Sequence, residues 1–403
     1  MARADQSRRE FLQTLGAMGA GSLLTSVGSL ANASMTAGLG DDQGVVPIRP
    51  FGKTGVDVPI LSFGGSLDIS QLMLRQAAKW GVTYWDTAAS YMGGNSEKRI
   101  GKYLEKYPED RKKIFLVTKS YAWSSSGMTD DLHTSLNRLK TDTIDLFLKH
   151  SVRNPDDLDD ELEAWAEKRK AEGKIRFFGF SSHSNMENCL LQASTLGWID
   201  GIMMEYNFRL MHTDRMKRAV DACVQAGIGL TAMKTQGGGS VKTETQTDLE
   251  MAGRFLEQGF TDAQAKLMAV WQNPAIASIC SEMPNMTILM ANVAAALNKT
   301  RLSTQNLLLL QRYAQETRSD YCAGCCDICE ATIDNQVPVS DIMRYLKYSR
   351  SYGDRDRARA LFQELPRATR DRLTATDYSA AEQKCPHRMP IARLMREAAL
   401  ELS

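Results

Sequence analysis

The sequence predicts an α/β chain: a closed barrel of eight parallel strands with intervening helices, followed by a small helical appendage. Three observations carry this. Eight short apolar runs alternate with helical patterns between residues 58 and 280. The gaps between runs are long enough for crossover helices, which parallel strands require. From residue 303 the strand-like runs stop, and helical patterns and cysteines take over. Runs that are apolar throughout, rather than alternating, belong to strands covered on both faces. Their number and the length they span match a (β/α)8 TIM barrel. An open, doubly wound sheet is the structural alternative. It is weakened because no Gly-x-Gly-x-x-Gly follows the first run.

The first element is a targeting segment. Ser7-Arg8-Arg9-Glu10-Phe11-Leu12 precedes a glycine-diluted apolar stretch, Leu15 to Leu24, and Ala31-x-Ala33 offers small residues for cleavage after Ala33. This pattern predicts a twin-arginine signal over 1–33 and delivery by that export machinery to the periplasm or another extracytoplasmic space. The apolar stretch is short of the about 20 residues a membrane span needs, so no stable membrane insertion is expected after cleavage. Residues 34 to 45 read as a lead-in.

The barrel is expected over 46–302. Its strands are Val58–Phe63, Val82–Trp85, Ile114–Thr118, Ile144–Leu148, Ile175–Phe180, Gly201–Met204, Ile228–Ala232 and Ala277–Cys280. Between them, Asp157–Ala171 places Leu158, Leu162 and Trp165 on one face, and Arg215–Ala226 has similar periodicity. Gly237-Gly238-Gly239 reads as a loop. Residues 303–403 form the helical C-terminal domain. Lys plus Arg number 49 against 48 Asp plus Glu, so no basic stripe points to nucleic acid and no basic amphipathic helix to a membrane surface. Of the eight cysteines, Cys189, Cys223 and Cys280 sit in apolar segments and read as buried thiols; the other five lie in the last fifth of the chain.

Barrels of this kind carry chemistry at the C-terminal ends of their strands. Asp86, Lys119 and His150 fall at the ends of the second, third and fourth runs, and Tyr91 follows five residues after Asp86. The strings are Gly81-Val-Thr-Tyr-Trp-Asp86-Thr-Ala-Ala-Ser-Tyr91, Phe115-Leu-Val-Thr-Lys119 and Ile144-Asp-Leu-Phe-Leu-Lys-His150. They resemble the Asp/Tyr/Lys/His tetrad of the aldo-keto reductases, in family order. Gly52-Lys-Thr-Gly55 and Gly173-Lys174-Ile175-Arg176 also match, and the likeness spans roughly residues 47 to 300. It implies an oxidoreductase that interconverts a small-molecule carbonyl and its alcohol with NAD(P)H.

Such a reaction adds a hydride to carbon and a proton to oxygen. A tyrosine hydroxyl, with a reference pKa of about 10, is a poor acid at neutral pH. A neighbouring Lys119 ammonium would lower that value, with Asp86 orienting the lysine. Tyr91 would then donate the proton, and His150 would hydrogen-bond the carbonyl oxygen. By the same resemblance Ser181 and Ser182 would meet the nicotinamide carboxamide. Glu205 would add a contact after strand six, Lys234 would lie near the pyrophosphate, and Asn292 would face adenine. The segment Ser281 to Asn292 lacks the basic residue that family members place against the 2′-phosphate of NADP, and Glu282 adds a negative charge there. A preference for NADP over NAD is therefore expected to be weak. His183 either lines the pocket or sits in a loop, and His212 reads as surface. An iron–sulfur carrier or binding module without nicotinamide turnover, and a lyase or isomerase with retained cofactor, are the competing readings.

Cys322-Ala-Gly-Cys325-Cys326-Asp-Ile-Cys329 and the later Lys384-Cys385-Pro386 resemble the ferredoxin-like domain that some aldo-keto reductases carry at their C-terminus. In two-cluster ferredoxins the last cysteine of one run serves the other cluster. The resemblance thus implies one [4Fe–4S] cluster on Cys322, Cys325, Cys329 and Cys385. The second cluster is lost, because Ala375, Tyr378 and Ala381 stand where its ligands would be. The gap from Cys325 to Cys329 is one residue too long, so Cys326 is an alternative to Cys325. Zinc, then disulfides, are the alternatives to the cluster. A cluster could also serve a redox partner.

Overall fold

The computed structural model describes residues 44–242 and 244–403; the expected signal peptide lies outside the described residues. A hairpin of β1 (Ile48–Pro50) and β2 (Asp57–Pro59) pairs antiparallel, Ile48 against Pro59. Then follow the parallel strands β3 (Leu61–Gly64), β4 (Tyr84–Asp86), β5 (Phe115–Ser120), β6 (Ile144–Lys149), β7 (Ile175–Ser182), β8 (Gly201–Glu205), β9 (Gly229–Met233) and β10 (Ile276–Glu282). They close into a barrel, β10 pairing with both β3 and β9. The eight-stranded α/β barrel expected from the sequence is thus present. Its first apolar run is divided differently: Val58 and Pro59 belong to the hairpin, and the barrel strand begins at Leu61. The helix expected from Asp157 starts at Asp160, because the Asp159 side chain caps Leu162 N.

The hairpin closes the floor of the barrel. Phe51 at its tip is fully buried, between Tyr84 and Phe115. A Cβ on Gly201 or Gly229 would approach the Phe51 ring to 2.8 and 2.6 Å, so those strand starts must be glycine to admit it.

The alternation of side chains along a strand then decides what reaches the top. Tyr84, Phe115, Val117, Leu146, Leu148 and Met203 fill the lumen. Trp85, Leu116 and Phe147 point outward into the layer between strands and helices. Trp85 meets Tyr103 at 5.0 Å there, and Phe147 meets Trp165 at 5.5 Å. Asp86, Lys119, His150 and Glu205 each lie two residues beyond a lumen residue. The same phase that buries the core therefore turns these four polar groups inward at the barrel mouth.

Beyond the barrel the described residues are helical. The main helices are Thr304–Glu316, Val339–Arg350, Arg355–Gln363 and Ile391–Glu401. The last three share a core of their own, in which Ile342, Met343, Leu346, Phe362, Leu394 and Met395 are all buried, whereas Leu309 and Leu310 of Thr304–Glu316 join the core of the barrel. This unit sits on the barrel mouth. Lys347 Nζ donates to Glu205 Oε1 at 2.6 Å, and Tyr321 Oη donates to the same oxygen at 2.7 Å. Burial raises the pKa of Glu205, but the Lys347 ammonium more than offsets this and holds it well below the usual carboxylate range. Nearby, Arg153 pairs with Glu330 at 2.5 Å and Asp341 at 2.9 Å, and Asn185 N donates to Gly324 O at 2.7 Å.

Removing one partner of a buried ion pair strands the other. Lys347→Met should therefore destabilise the protein by about 3 kcal/mol or more, measured by urea unfolding. Arg312→Ala, which breaks an exposed pair with Glu250, should change stability by less than about 1 kcal/mol.

Candidate active site and cysteine cavity

A cavity of about 530 Å3 lies between the barrel mouth and the helical unit. Asp86, Tyr91 and His150 line it, and Lys119 stands behind Asp86. Lys119 Nζ donates to Asp86 Oδ1 at 2.5 Å and to Thr87 O at 2.7 Å, and lies 4.9 Å from the Tyr91 ring centre. All four expected tetrad residues are thus brought together. Tyr91 begins a tight turn in which Met92, Gly93 and Gly94 all have positive φ. A Cβ on Gly94 would come within 2.4 Å of the Arg138 guanidinium, which donates to Ala89 O and Glu97. That close packing fixes the loop carrying the phenol.

The electrostatics differ from the simple lysine–tyrosine scheme. Burial pushes the Tyr91 phenol well above its ordinary value, and Asp86 adds to this; Arg357 is the cation that pulls it back. Burial also raises Asp86, with Lys119 opposing. His150 falls well below the usual imidazole range through burial and the charges of Lys119, Arg344 and Arg357. It therefore stays neutral at neutral pH. Its ring stacks on Tyr121 at 3.9 Å and meets Tyr91 edge-on at 5.7 Å.

The expected cofactor residues are placed unequally. Lys234 lines the cavity. Ser181 Oγ accepts from Ser151 N, Ser182 Oγ donates to Ser184 O, and Asn292 Nδ2 donates to Ser281 Oγ. Glu205 is engaged by Lys347 and Tyr321 as described. His183 does line the cavity, its Nδ1 standing 3.9 Å from Glu205 Oε2. His212 is half-buried rather than at the surface, and Cys280 lies on the cavity wall beside Asp86 rather than wholly in the core.

Arg344, Tyr348, Tyr352 and Arg357 of the helical unit complete the wall. Sequence reasoning missed them because they follow the barrel by more than 40 residues. Arg344 and Tyr348 stand four apart on one face of helix Val339–Arg350, and Tyr352 follows beyond its end, a spacing that by itself marks no site.

A second, apolar cavity is lined by Cys322, Cys325, Cys326, Cys329 and Cys385, with Val339, Met343 and Ile391 among its walls. Negative charge on Cys385 would raise the thiols of Cys322, Cys325 and Cys329. Cys326 faces instead towards Arg153 and Ser340. Burial pushes the Cys322 thiol up to about 12 and raises Cys325 and Cys329 as well. All eight cysteines are free thiols. Among the described residues, no group of three or more His, Cys, Asp or Glu is placed to hold a single metal ion.

The buried imidazoles make stability pH-dependent. Burial lowers His183 to about 3. Between its unfolded value of about 6.5 and that value, the unfolded chain binds a proton the folded one does not, so stability is lost as pH falls. His183→Asn should flatten the stability–pH curve below pH 6.5 by about 1.4 kcal/mol per pH unit. Urea unfolding at pH 7, 6 and 5 checks this; parallel curves for both proteins would refute it.

Residues 66–304 match the model of the aldo/keto reductase family. A Bacillus subtilis (strain 168) protein described as the uncharacterized oxidoreductase YqkF is 25% identical over 301 residues, covering 66% of this chain and 96% of that protein. Methylglyoxal reductase YeaE of Escherichia coli (strain K12) is 39% identical over 111 residues, 27% of this chain and 37% of its own length. The holo form of an aldo-keto reductase from Bacillus halodurans superposes with a TM-score of 0.53 at 23% identity, covering 66% of this chain and 96% of that one, a likeness of fold. With the match spanning more than half its length, the chain belongs to the aldo/keto reductase family of NAD(P)-dependent oxidoreductases.

Proposed function

We propose that the chain is an exported reductase that interconverts a small carbonyl compound and its alcohol, with Tyr91 as the proton donor. The observation that supports it most is the gathering of Asp86, Tyr91, Lys119 and His150 around one cavity. The high pKa of Tyr91 keeps the phenol protonated at neutral pH. Lys119 and Arg357, both within about 6 Å of its ring, stabilise the negative charge that forms when the proton leaves for the carbonyl oxygen. Neutral His150 donates a hydrogen bond to that oxygen and orients it.

NAD(P)H, when bound, supplies the hydride. Lys234, Thr235, Gln236 and Ser281 form a polar cavity wall whose donors suit a ribose and pyrophosphate. Ser181 and Ser182 would contribute only after exchanging their present hydrogen bonds. Glu282 stands within 4.0 Å of Lys234 and 3.5 Å of Arg357, so its charge partly neutralises the cations nearest it. This supports a weak preference between NADP and NAD. The resemblance to a methylglyoxal reductase suits a small oxo compound.

The reading extends to one [4Fe–4S] cluster on Cys322, Cys325, Cys329 and Cys385, inserted before passage through the twin-arginine route. The four thiols border one cavity, and their mutual repulsion as thiolates would be relieved by a bound cluster. Cys326 is disfavoured as a ligand because it faces Arg153. Electron transfer through the cluster to a redox partner is a second use of the same site.

Three measurements test this. Tyr91→Phe should lower carbonyl reduction by at least about 100-fold while cofactor still binds. A wild type that binds neither NADH nor NADPH would refute the reductase reading. Exported protein purified without oxygen should hold about four irons, lost in Cys385→Ala and kept in Cys326→Ala. Arg8→Lys with Arg9→Lys should leave precursor in the cytoplasm. Stoichiometric zinc, or normal export of that double variant, would overturn the respective part.

A further inference from the structure

The wall that the helical unit adds to the cavity is richer in cation than a neutral carbonyl compound requires. Lys234 and Arg357 share one carboxylate, Glu282, which Ser66 also contacts. Arg344 pairs with Asp341 at 2.9 Å, but Arg153 uses the same carboxylate. The Asp354 side chain is turned to the start of helix Arg355–Gln363, where it accepts from Arg357 N.

Two kinds of titratable group report the resulting potential with the same sign. Burial raises the Tyr348 phenol, yet Lys234, Arg344 and Arg357 bring it down to about 8. Arg344 and Arg357 also help to depress the neighbouring His150.

The cations are also incompletely satisfied. Arg344 Nε and Tyr352 Oη are buried without a hydrogen-bond partner among the described residues, and both residues line the cavity. A buried guanidinium nitrogen left unpaired is costly. The Arg357 guanidinium lies 6.0 Å from the Tyr91 ring centre and 4.8 Å from that of Tyr348. Arg344 Nη1 is 3.3 Å from Tyr348 Oη. A group held by these arginines would thus sit within one small molecule's length of the reacting phenol.

We propose that the substrate carries an oxyanion, a carboxylate or phosphate, which Arg357 and Arg344 hold while its carbonyl faces Tyr91 and His150. The guanidinium fork matches either anion in two-point contact. A carboxylate or phosphate would also balance the positive charge that Glu282 and Asp341 leave over. This inference rests on the reductase reading and adds the substrate class, with the helical unit as the element that selects it.

The test compares charged and neutral members of two pairs on the full chain with its cofactor: phenylglyoxylate against its methyl ester, and dihydroxyacetone phosphate against dihydroxyacetone. The charged member of at least one pair should show kcat/KM about 10-fold higher or more, and that advantage should fall below about 2-fold in Arg357→Gln, chiefly through KM. Which pair responds separates carboxylate from phosphate. Arg344→Lys keeps the charge without the fork and should fall between. Calorimetric titration with phenylglyoxylate and with inorganic phosphate reads the subsite without turnover. Binding that weakens at least about 10-fold in Arg357→Gln supports it even if no pair is reduced, in which case the reductase reading fails alone. Equal kcat/KM within both pairs together with no anion binding overturns the proposal. So does a charged-substrate advantage that survives in Arg357→Gln.

Discussion

The carboxylate of Glu205 at the end of β8 is the constraint on which the rest of the molecule depends. It is almost wholly buried and is reached by Lys347 and Tyr321 of the helical unit. A buried charge is tolerated only when paired and hydrogen-bonded. Glu205 thus requires the helical unit to sit where it does, and Lys347, itself buried, requires the barrel in turn. Such a pair adds little net stability over an apolar contact, but it specifies one docking geometry. The pairing of Arg153 with Glu330 and Asp341 holds the same geometry. Helix Val339–Arg350 carries Lys347 to Glu205 and, on the same turns, Arg344 and Tyr348 to the tetrad.

Two cores therefore meet at a polar seam. Below it, lumen side chains pack above Phe51, and their two-residue period delivers Asp86, Lys119 and His150 to the mouth. Above it, the helical unit packs on its own apolar core and borders the cysteine cavity. Tyr321 and Cys322 are adjacent in sequence, so the residue that hydrogen-bonds Glu205 also begins the cysteine loop. The barrel site and the cysteine cavity are held in register by one short segment.

Much of this was legible in the sequence, for physical reasons. Strands buried on both faces must be apolar throughout, so Ile144–Leu148 and Gly201–Met204 stand out from the helices around them. Asp86, Lys119 and His150 stood out at strand ends, and the resemblance to the aldo-keto reductases joined them with Tyr91 as a tetrad. The hairpin was not separated from the first barrel strand, because Val58 to Phe63 is one apolar run and only the tertiary partner of each half differs. Arg344, Tyr348 and Arg357 were invisible for a related reason. Their role depends on long-range docking through Glu205 and Lys347, and nothing local distinguishes a helix facing an active site from one facing solvent. The sequence also placed Glu205 against a cofactor, whereas its carboxylate is occupied by the chain itself.

The most direct test of this account is amide hydrogen exchange on the intact protein, compared with Glu205→Gln. If the ion pair holds the helical unit on the barrel, Val339–Arg350 in the wild type should be protected to a degree similar to β5–β8. In Glu205→Gln that helix should lose protection while the barrel strands keep theirs. A helix that exchanges rapidly in the wild type, or protection unchanged by the substitution, would contradict the claim that Glu205 and Lys347 build the site.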